Sequence, residues 1–230
     1  DTRPVVLLAT NVLGDSLTLG RQVFTKTMAE WVSRTILYFI GRPDIQLVIR
    51  IHPGEILSRE YSMVDVVRQT LPELPEHIHV IETEEKINTY DLMDIADLGL
   101  VYTTTVGLEM ALRGLPVIVT GQTHYRERGF TYDPASWVEY FKQLGMILEN
   151  PAEFRLGKEK VQLAWKYAYH FFYTFPLPFP WHIKIWQDYQ THTLSQVFSK
   201  EGKKKYGNTF RYLVGEPIDW TKTNHNGRHA

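Results

Sequence analysis

Side chains able to bind an anion or move a proton gather in four short stretches of this sequence. The first follows the apolar run QLVIRI (46–51): His52-Pro53-Gly54-Glu55. Pro53 lacks an N–H and fixes its backbone, so the turn is stiff, and His52 can donate to a phosphate or a carboxylate. A satisfied strand-end histidine fits equally well. Arg50 either shares a strand face with His52 or is paired off. The second stretch is Thr103-Thr104-Thr105, between the apolar run Leu98 to Tyr102 and the helically spaced Val106 to Arg113. One threonine serves as a helix N-cap. Three exceed that need, and hydroxyls with free N–H groups at a helix start suit a phosphate. Glu109, in the first turns, could accept two ribose hydroxyls or merely place a favourable charge. The third stretch, Gly121-Gln122-Thr123-His124-Tyr125-Arg126, is dense in donors for sugar hydroxyls, a sugar carboxylate or a phosphate. Gly121 allows close backbone approach, and Asp133 ends the loop as a ligand or a cap. The fourth is the loop from Asn11 to Gly20, with Asp15, Ser16, Thr18 and two glycines. It is not a GxGxxG turn, so Asn11 and Ser16 are candidates by position alone.

These stretches need a scaffold that brings them to one edge. Pro4 to Thr10 reads as a first strand, Phe24 to Ile40 as a long amphipathic helix and Gln46 to Ile51 as a second strand. Ser62 to Leu71 is a helix, Ile78 to Ile81 a strand, and Ile87 to Ala96 a helix with Asn88 or Thr89 near its start. Leu98 to Tyr102 and Pro116 to Val119 are strands flanking the helix Val106 to Arg113. Strict alternation with right-handed crossovers predicts an α/β fold: a Rossmann-like parallel sheet with helices on both faces. Its ligands bind where strands end and helices begin. After Asp133 the pattern changes to helices over Ala135 to Leu144, Pro151 to Phe175 and Ile183 to Phe198. Pro176, Pro178 and Pro180 interrupt an aromatic setting, Gly202-Lys203-Lys204-Lys205 is basic, and the last ten residues look frayed. We divide the chain into a Rossmann-like domain, residues 1–150, and a helical, aromatic C-terminal extension, residues 151–230. Tyr167 to Phe179 reads as core or domain contact, with a sugar-stacking platform as the alternative.

Composition narrows the classes. A chain of 230 residues with 43% hydrophobic residues can bury a sizeable core. A net charge of -1 gives no nucleic-acid footprint. The absence of cysteine excludes disulfides and thiolate chemistry and suits a reducing compartment. His77, His79 and the C-terminal histidines lack a metal-ligand pattern, so neither metal nor cofactor is expected. There is no signal peptide, transmembrane run, G-x-S-x-G or Walker A motif. The chain starts at Asp1 and enters a strand almost at once, as an excised domain would, with a partner domain expected upstream.

Three pieces in order, IRIHPGE (49–55), VYTTTVGLEMALRGLPVIV (101–119) and GQTHYRERGFTYDP (121–134), resemble the C-terminal half of bacterial capsule polysaccharide biosynthesis proteins. That half is the nucleotide-sugar-binding part of a two-domain GT-B glycosyltransferase. The likeness covers Val5 to Asp133 in organisation and is specific over the last third. Sialyltransferases and Kdo transferases of this architecture similarly hold a CMP-sugar with an His-Pro element and a Ser/Thr pair. The resemblance implies nucleotide-sugar binding by His52, Pro53, two of Thr103, Thr104 and Thr105, Glu109 on the ribose, and Gln122, His124 and Tyr125 facing sugar or phosphate. It further implies a transferase that takes a nucleotide-sugar, CMP-sugar favoured, to a glycan or lipid-linked acceptor. Such an enzyme would be cytoplasmic or peripheral to the inner face of the membrane. His52 would stabilise the leaving phosphate. The base is His124 or a residue of the absent N-terminal acceptor-binding half. A nucleotide-sugar epimerase or hydrolase of the same architecture, and a non-catalytic interaction module, are the alternatives.

Overall fold

The structure is a computed structural model that describes residues 2–16, 18–57, 61–181 and 185–218. Five strands, β1 (Val5–Ala9), β2 (Gln46–Arg50), β3 (Ile78–Ile81), β4 (Leu98–Val101) and β5 (Val117–Val119), form one sheet in the order β3-β2-β1-β4-β5. Every pairing is parallel, and the register Val48↔Leu7↔Gly99↔Val117 runs across four of the strands. β2 and β4 are buried along their whole length, as a sheet covered on both faces demands. The expected α/β class is therefore found.

Between the strands lie α1 (Met28–Ile40), α2 (Met63–Thr70), α3 (Thr89–Ile95) and α4 (Val106–Leu112), followed by α5 (Trp137–Glu149). Capping side chains set most of their starts. Thr27 accepts the Glu30 N–H, so α1 begins at Met28 and the predicted start at Phe24 is early. Phe24 instead packs edge-on against Trp137. Ser62 and Asp65 form a capping box on α2. Asn88 caps α3. Ser136 accepts the Glu139 N–H, which moves the start of α5 to Trp137, and the helix continues past the predicted Leu144 to Glu149.

One face of the sheet carries Val6, Leu8, Leu47, Ile49, Leu100 and Ile118 against Trp31, Ile36 and Phe39 of α1, Val66 and Val67 of α2, and Leu144 and Ile147 of α5. The other face carries Leu7, Gly99 and Val117, with Met110 of α4 seated over Gly99. Within the first core the Tyr140 hydroxyl accepts from the Trp31 indole at 3.2 Å and meets the Thr35 hydroxyl at 2.8 Å. Burial pushes the Tyr140 pKa up, so the phenol stays protonated.

The chain separates into two compact units, Asp1–Trp165 and Lys166–Ala230, the break falling inside α6 (Lys158–Tyr169). The single helix predicted from Pro151 to Phe175 is instead three pieces. Pro151–Phe154 is a 3₁₀ turn, α6 begins after Gly157, and His170–Thr174 widens into a π turn. The Leu156 N–H donates to Gly114 O, which holds the intervening residues out of a helix. The helix predicted from Ile183 to Phe198 is two: α7 (Ile185–Thr191) and α8 (Leu194–Val197). Thr193 and Gln196 form a capping box that restarts the chain. Residues 183–184 and the last ten residues lie outside the described ones. The basic run Gly202 to Lys205 belongs to α9 (Lys200–Leu213), which Ser199 caps. Among the described residues no helix is long and apolar enough to cross a membrane.

Tyr140→Phe strands the buried Trp31 N–H. We expect a loss of about 1–2 kcal/mol in urea unfolding with an unchanged denaturant slope.

Candidate functional site

All five strands end on one edge, at Ala9, Arg50, Ile81, Val101 and Val119. Connections run outward from β1 in opposite directions, toward β2 and β3 on one side and β4 and β5 on the other. The reversal lies between β1 and β4, where open α/β sheets leave a crevice. Two side chains at the end of β1 tie this edge together. The Asn11 Oδ1 accepts the Thr103 N–H at 3.2 Å, and Asn11 is 4% exposed. The Thr10 hydroxyl accepts the His52 N–H at 3.0 Å. Asn11, Thr103 and the His52 backbone are thus joined across β4, β1 and β2.

His52 is half-buried, and its Nδ1 accepts the Gly54 N–H at 3.0 Å. That bond fixes the tautomer of the neutral ring, leaving Nε2–H as its donor. Pro53 opens a 3₁₀ turn, Pro53–Leu57, and is exposed. Glu55, to which the sequence reading gave no role, is the brace of this turn. It is 4% exposed, and its carboxylate accepts the Leu13 N–H at 3.0 Å and the Met63 N–H at 2.9 Å. One anion therefore holds the loop after β1 and the start of α2. An acid two residues past His-Pro was its only sequence signal.

The threonine turn divides its hydroxyls. Thr104 Oγ1 takes the Val106 N–H at 3.4 Å. Thr105 occupies the N-cap position of α4 in αR conformation, makes no side-chain capping bond and is exposed. Thr103 is 6% exposed, and its enclosed Oγ1 has no hydrogen-bond partner among the described residues. Thr103 is thus a buried hydroxyl that the fold does not use, at the switch point of the sheet.

The loop after β5 changes several expectations. Tyr125 is fully buried and its hydroxyl donates to Thr104 O at 2.5 Å, with its pKa pushed up by burial. Tyr125 is therefore a strut beneath the threonine turn and not a group facing sugar. Gly121 makes room for protein, not ligand: a Cβ there would lie 2.8 Å from Thr103 Cγ2 and 3.2 Å from Arg21 O. Arg126, offered as a ligand donor, is buried and spends its guanidinium on Val119 O and Pro134 O, closing the loop on itself. Asp133 accepts the Glu127 N–H and the Thr131 hydroxyl, so it neither caps a helix nor faces a ligand. Burial raises its pKa. Gln122 remains exposed, with its N–H on Arg21 O at 2.7 Å. His124 is half-buried, edge-on to Tyr125 at 5.1 Å, and burial first and Arg128 second lower its pKa.

Three further candidates are engaged away from the crevice. Arg50 is 6% exposed and donates to Glu82 O at 2.7 Å, turned toward the loop after β3; burial lowers its pKa. Ser16 is exposed and donates to Asp15. Glu109 faces the Tyr90 phenol of α3 closely enough for its carboxylate to raise the tyrosine pKa. Among the described residues no three His, Asp or Glu side chains converge as metal ligands.

Glu55→Gln replaces an acceptor oxygen by an amide donor facing a backbone N–H. A loss of about 2 kcal/mol in chemical denaturation is expected. His124 binds its proton less tightly folded than unfolded. Stability therefore falls as pH drops from the ordinary histidine value of 6.5 through the lower folded value. Thermal midpoints measured against pH should show this decline in the wild type and a shallower one in His124→Gln.

No curated protein matches the chain. Among solved structures, the β-Kdo 2,4-transferase of KpsC from Thermosulfurimonas dismutans shares 20% identity over 71% of this chain and 44% of its own, with a TM-score of 0.45. The UDP-GlcNAc 2-epimerase from Neisseria meningitidis, bound to UDP-GlcNAc, shares 16% over 71% and 40%, with a TM-score of 0.48. The S. aureus MnaA–UDP structure shares 12% over 74% and 44%, with a TM-score of 0.51. The last is a likeness of fold. The chain spans less than half the length of each of these three. A sequence profile described as capsule polysaccharide biosynthesis protein matches residues 21–143, from the loop before α1 to the middle of α5. With more than half of its residues inside that match, the turns after β2, β4 and β5 among them, this chain belongs to the capsule polysaccharide biosynthesis protein family.

Proposed function

We propose that residues 1–150 are the donor-binding domain of a glycosyltransferase in capsule or surface polysaccharide biosynthesis. The nucleotide-sugar would lie in the crevice between the ends of β1 and β4. The enclosed, unpartnered Thr103 hydroxyl is the observation that carries this reading. A buried hydroxyl without a partner is costly; it is closed to solvent as the threonine turn stands, and a phosphate oxygen at the switch point would relieve it once that turn shifts. Around that position the reading places Asn11, Thr104, Thr105 and Gln122 as the wall of the pocket. Tyr125 acts from behind it.

In the reaction the acceptor hydroxyl attacks the anomeric carbon while the bond to the nucleotide phosphate breaks. Negative charge then grows on the phosphate. Nε2–H of His52 and the Thr103 hydroxyl are the donors proposed to meet it, needing no metal in these roles. A base must take the hydroxyl proton. His124, its pKa lowered, is neutral at pH 7 and able to accept one. The alternative source is the acceptor-binding half of a two-domain enzyme. The acceptor is proposed to be a glycan or lipid-linked glycan at the inner face of a membrane. CMP-sugar is the favoured donor because the His-Pro and threonine elements resemble those of CMP-sugar transferases.

The test is thermal stabilisation by CMP, UDP, GDP and ADP and their sugar conjugates. A ligand at a hundredfold its Kd should add about 2.7 kcal/mol. Thr103→Val keeps the shape and removes an unsatisfied hydroxyl, so the unliganded variant should be at least as stable as wild type and lose the nucleotide shift. His52→Ala should lose it also. Stabilisation by no nucleotide, or an unchanged shift in both variants, refutes the crevice. Free sugar or an epimer as product, in place of an extended glycan, would select the epimerase or hydrolase reading.

A further inference from the structure

Where β4 and β5 end, the two outgoing stretches of chain stay joined. Carbonyls in succession from Val101 to Thr104 each accept from the segment Thr120 to Tyr125. Val101 O takes the Thr120 N–H at 3.0 Å and Tyr102 O the Gly121 N–H at 3.1 Å. Thr103 O takes the Thr123 hydroxyl at 3.4 Å, and Thr104 O the Tyr125 hydroxyl at 2.5 Å. Gly121, Thr123 and Tyr125 are buried against the threonine turn, while Gln122 between them is exposed and His124 half-buried. The grips are unequal. The Thr123 bond is at the long end of the hydrogen-bond range, and the Tyr125 bond is the shortest of the series. The turn is thus held firmly on either side of Thr103 and loosely at Thr103 itself.

A glycine makes the last grip possible. Gly107 lies in the first turn of α4, and its N–H shares Thr104 O with the phenol, at 3.3 Å. A Cβ at Gly107 would collide with the Tyr125 hydroxyl and stand 2.8 Å from Val101 Cγ2. Gly107 is not among the glycines with positive φ, so space and not backbone freedom demands it. Tyr125 is fully buried, and burial raises its pKa, so the hydroxyl keeps its proton and remains a donor.

We propose that Tyr125 and Gly107 are positioning residues of the threonine turn. The phenol, seated in the hollow left by Gly107, fixes Thr104, so that movement admitting a ligand to the Thr103 hydroxyl is confined to that one residue. The consequence for binding rests on the donor-site reading above; the lock itself does not. A turn fixed on both flanks has little left to order when it meets a phosphate, which is the advantage of preorganisation. Without the phenol, Thr104 O loses its shortest bond and the movement spreads into α4.

The experiment compares Tyr125→Phe and Gly107→Ala with Tyr140→Phe, which loses an equally buried phenol hydroxyl bonded to α1 and not to the turn. Amide exchange over residues 103–108 of the free protein should quicken about tenfold in the first two, the worth of one hydrogen bond, and keep the wild-type rate in the third. Affinity for CMP and UDP should fall by a similar factor in the first two alone. Both substitutions act on one contact, so Gly107→Ala/Tyr125→Phe should exchange no faster than the worse single variant. Wild-type exchange in Tyr125→Phe, equal quickening in Tyr140→Phe, or a double variant whose effects multiply overturns the proposal. If Gly107→Ala does not fold, Tyr125→Phe against Tyr140→Phe decides it. Quickened exchange confined to the turn, with neither nucleotide bound or with affinity unchanged, upholds the positioning role and refutes the crevice instead.

Discussion

Where parallel strands stop together, their backbone donors and acceptors run out of neighbours while still buried. Each must find a partner or pay for desolvation. In this chain the debt is met largely by side chains from β1 and the loops themselves. Thr10 takes the His52 N–H and Asn11 the Thr103 N–H. Glu55 takes two more from Leu13 and Met63. Tyr125 and Arg126 answer carbonyls of Thr104, Val119 and Pro134. The crevice keeps its shape because of this satisfaction, and among the described residues the Thr103 hydroxyl, like Arg50 Nε at the end of β2, is left out of it.

The same requirement explains what the sequence could and could not disclose. The fold class and the alternation of strand and helix were legible, because short apolar runs alternating with amphipathic ones admit few other folds. The polar edge was legible too, since the four stretches named from the sequence all lie in loops that leave that edge. Within it, ligand-facing and structural roles were not separable. Tyr125 and Arg126 carry the same donors whether they serve a sugar or a backbone carbonyl, and only burial distinguishes the uses. Glu55 escaped notice for the converse reason: a buried brace and a solvated turn acid are spelled alike. Helix ends moved with their caps, as Thr27, Ser136 and Thr193 each set a start that apolar spacing did not.

The second unit was less legible. Its aromatics read as core, yet many are exposed, and the basic run is part of a capped helix with its lysines in solvent. Periodicity was present in α9 but diluted, because its buried stripe uses Gly202, Tyr206 and Thr209 in place of aliphatic residues. Membership in the capsule family rests on residues 21–143, so the first unit carries the kinship.

The packing of Gly121 reaches beyond its own turn. Its α-carbon sits between Thr103 and Arg21, and the next N–H grips the Arg21 carbonyl. The loop after β1 is thereby pinned from both ends, at Leu13 by Glu55 and at Arg21 by Gln122. Insertions there would have to break one pin or the other. The loop after β3 is held to its neighbour by the Arg50 guanidinium on the Glu82 carbonyl and by the Arg68 ion pair to Glu82, partners near its start. Lineages of this fold are thus expected to vary in length beyond Glu82, and to keep the residue count between β1 and α1 nearly fixed even where its side chains drift.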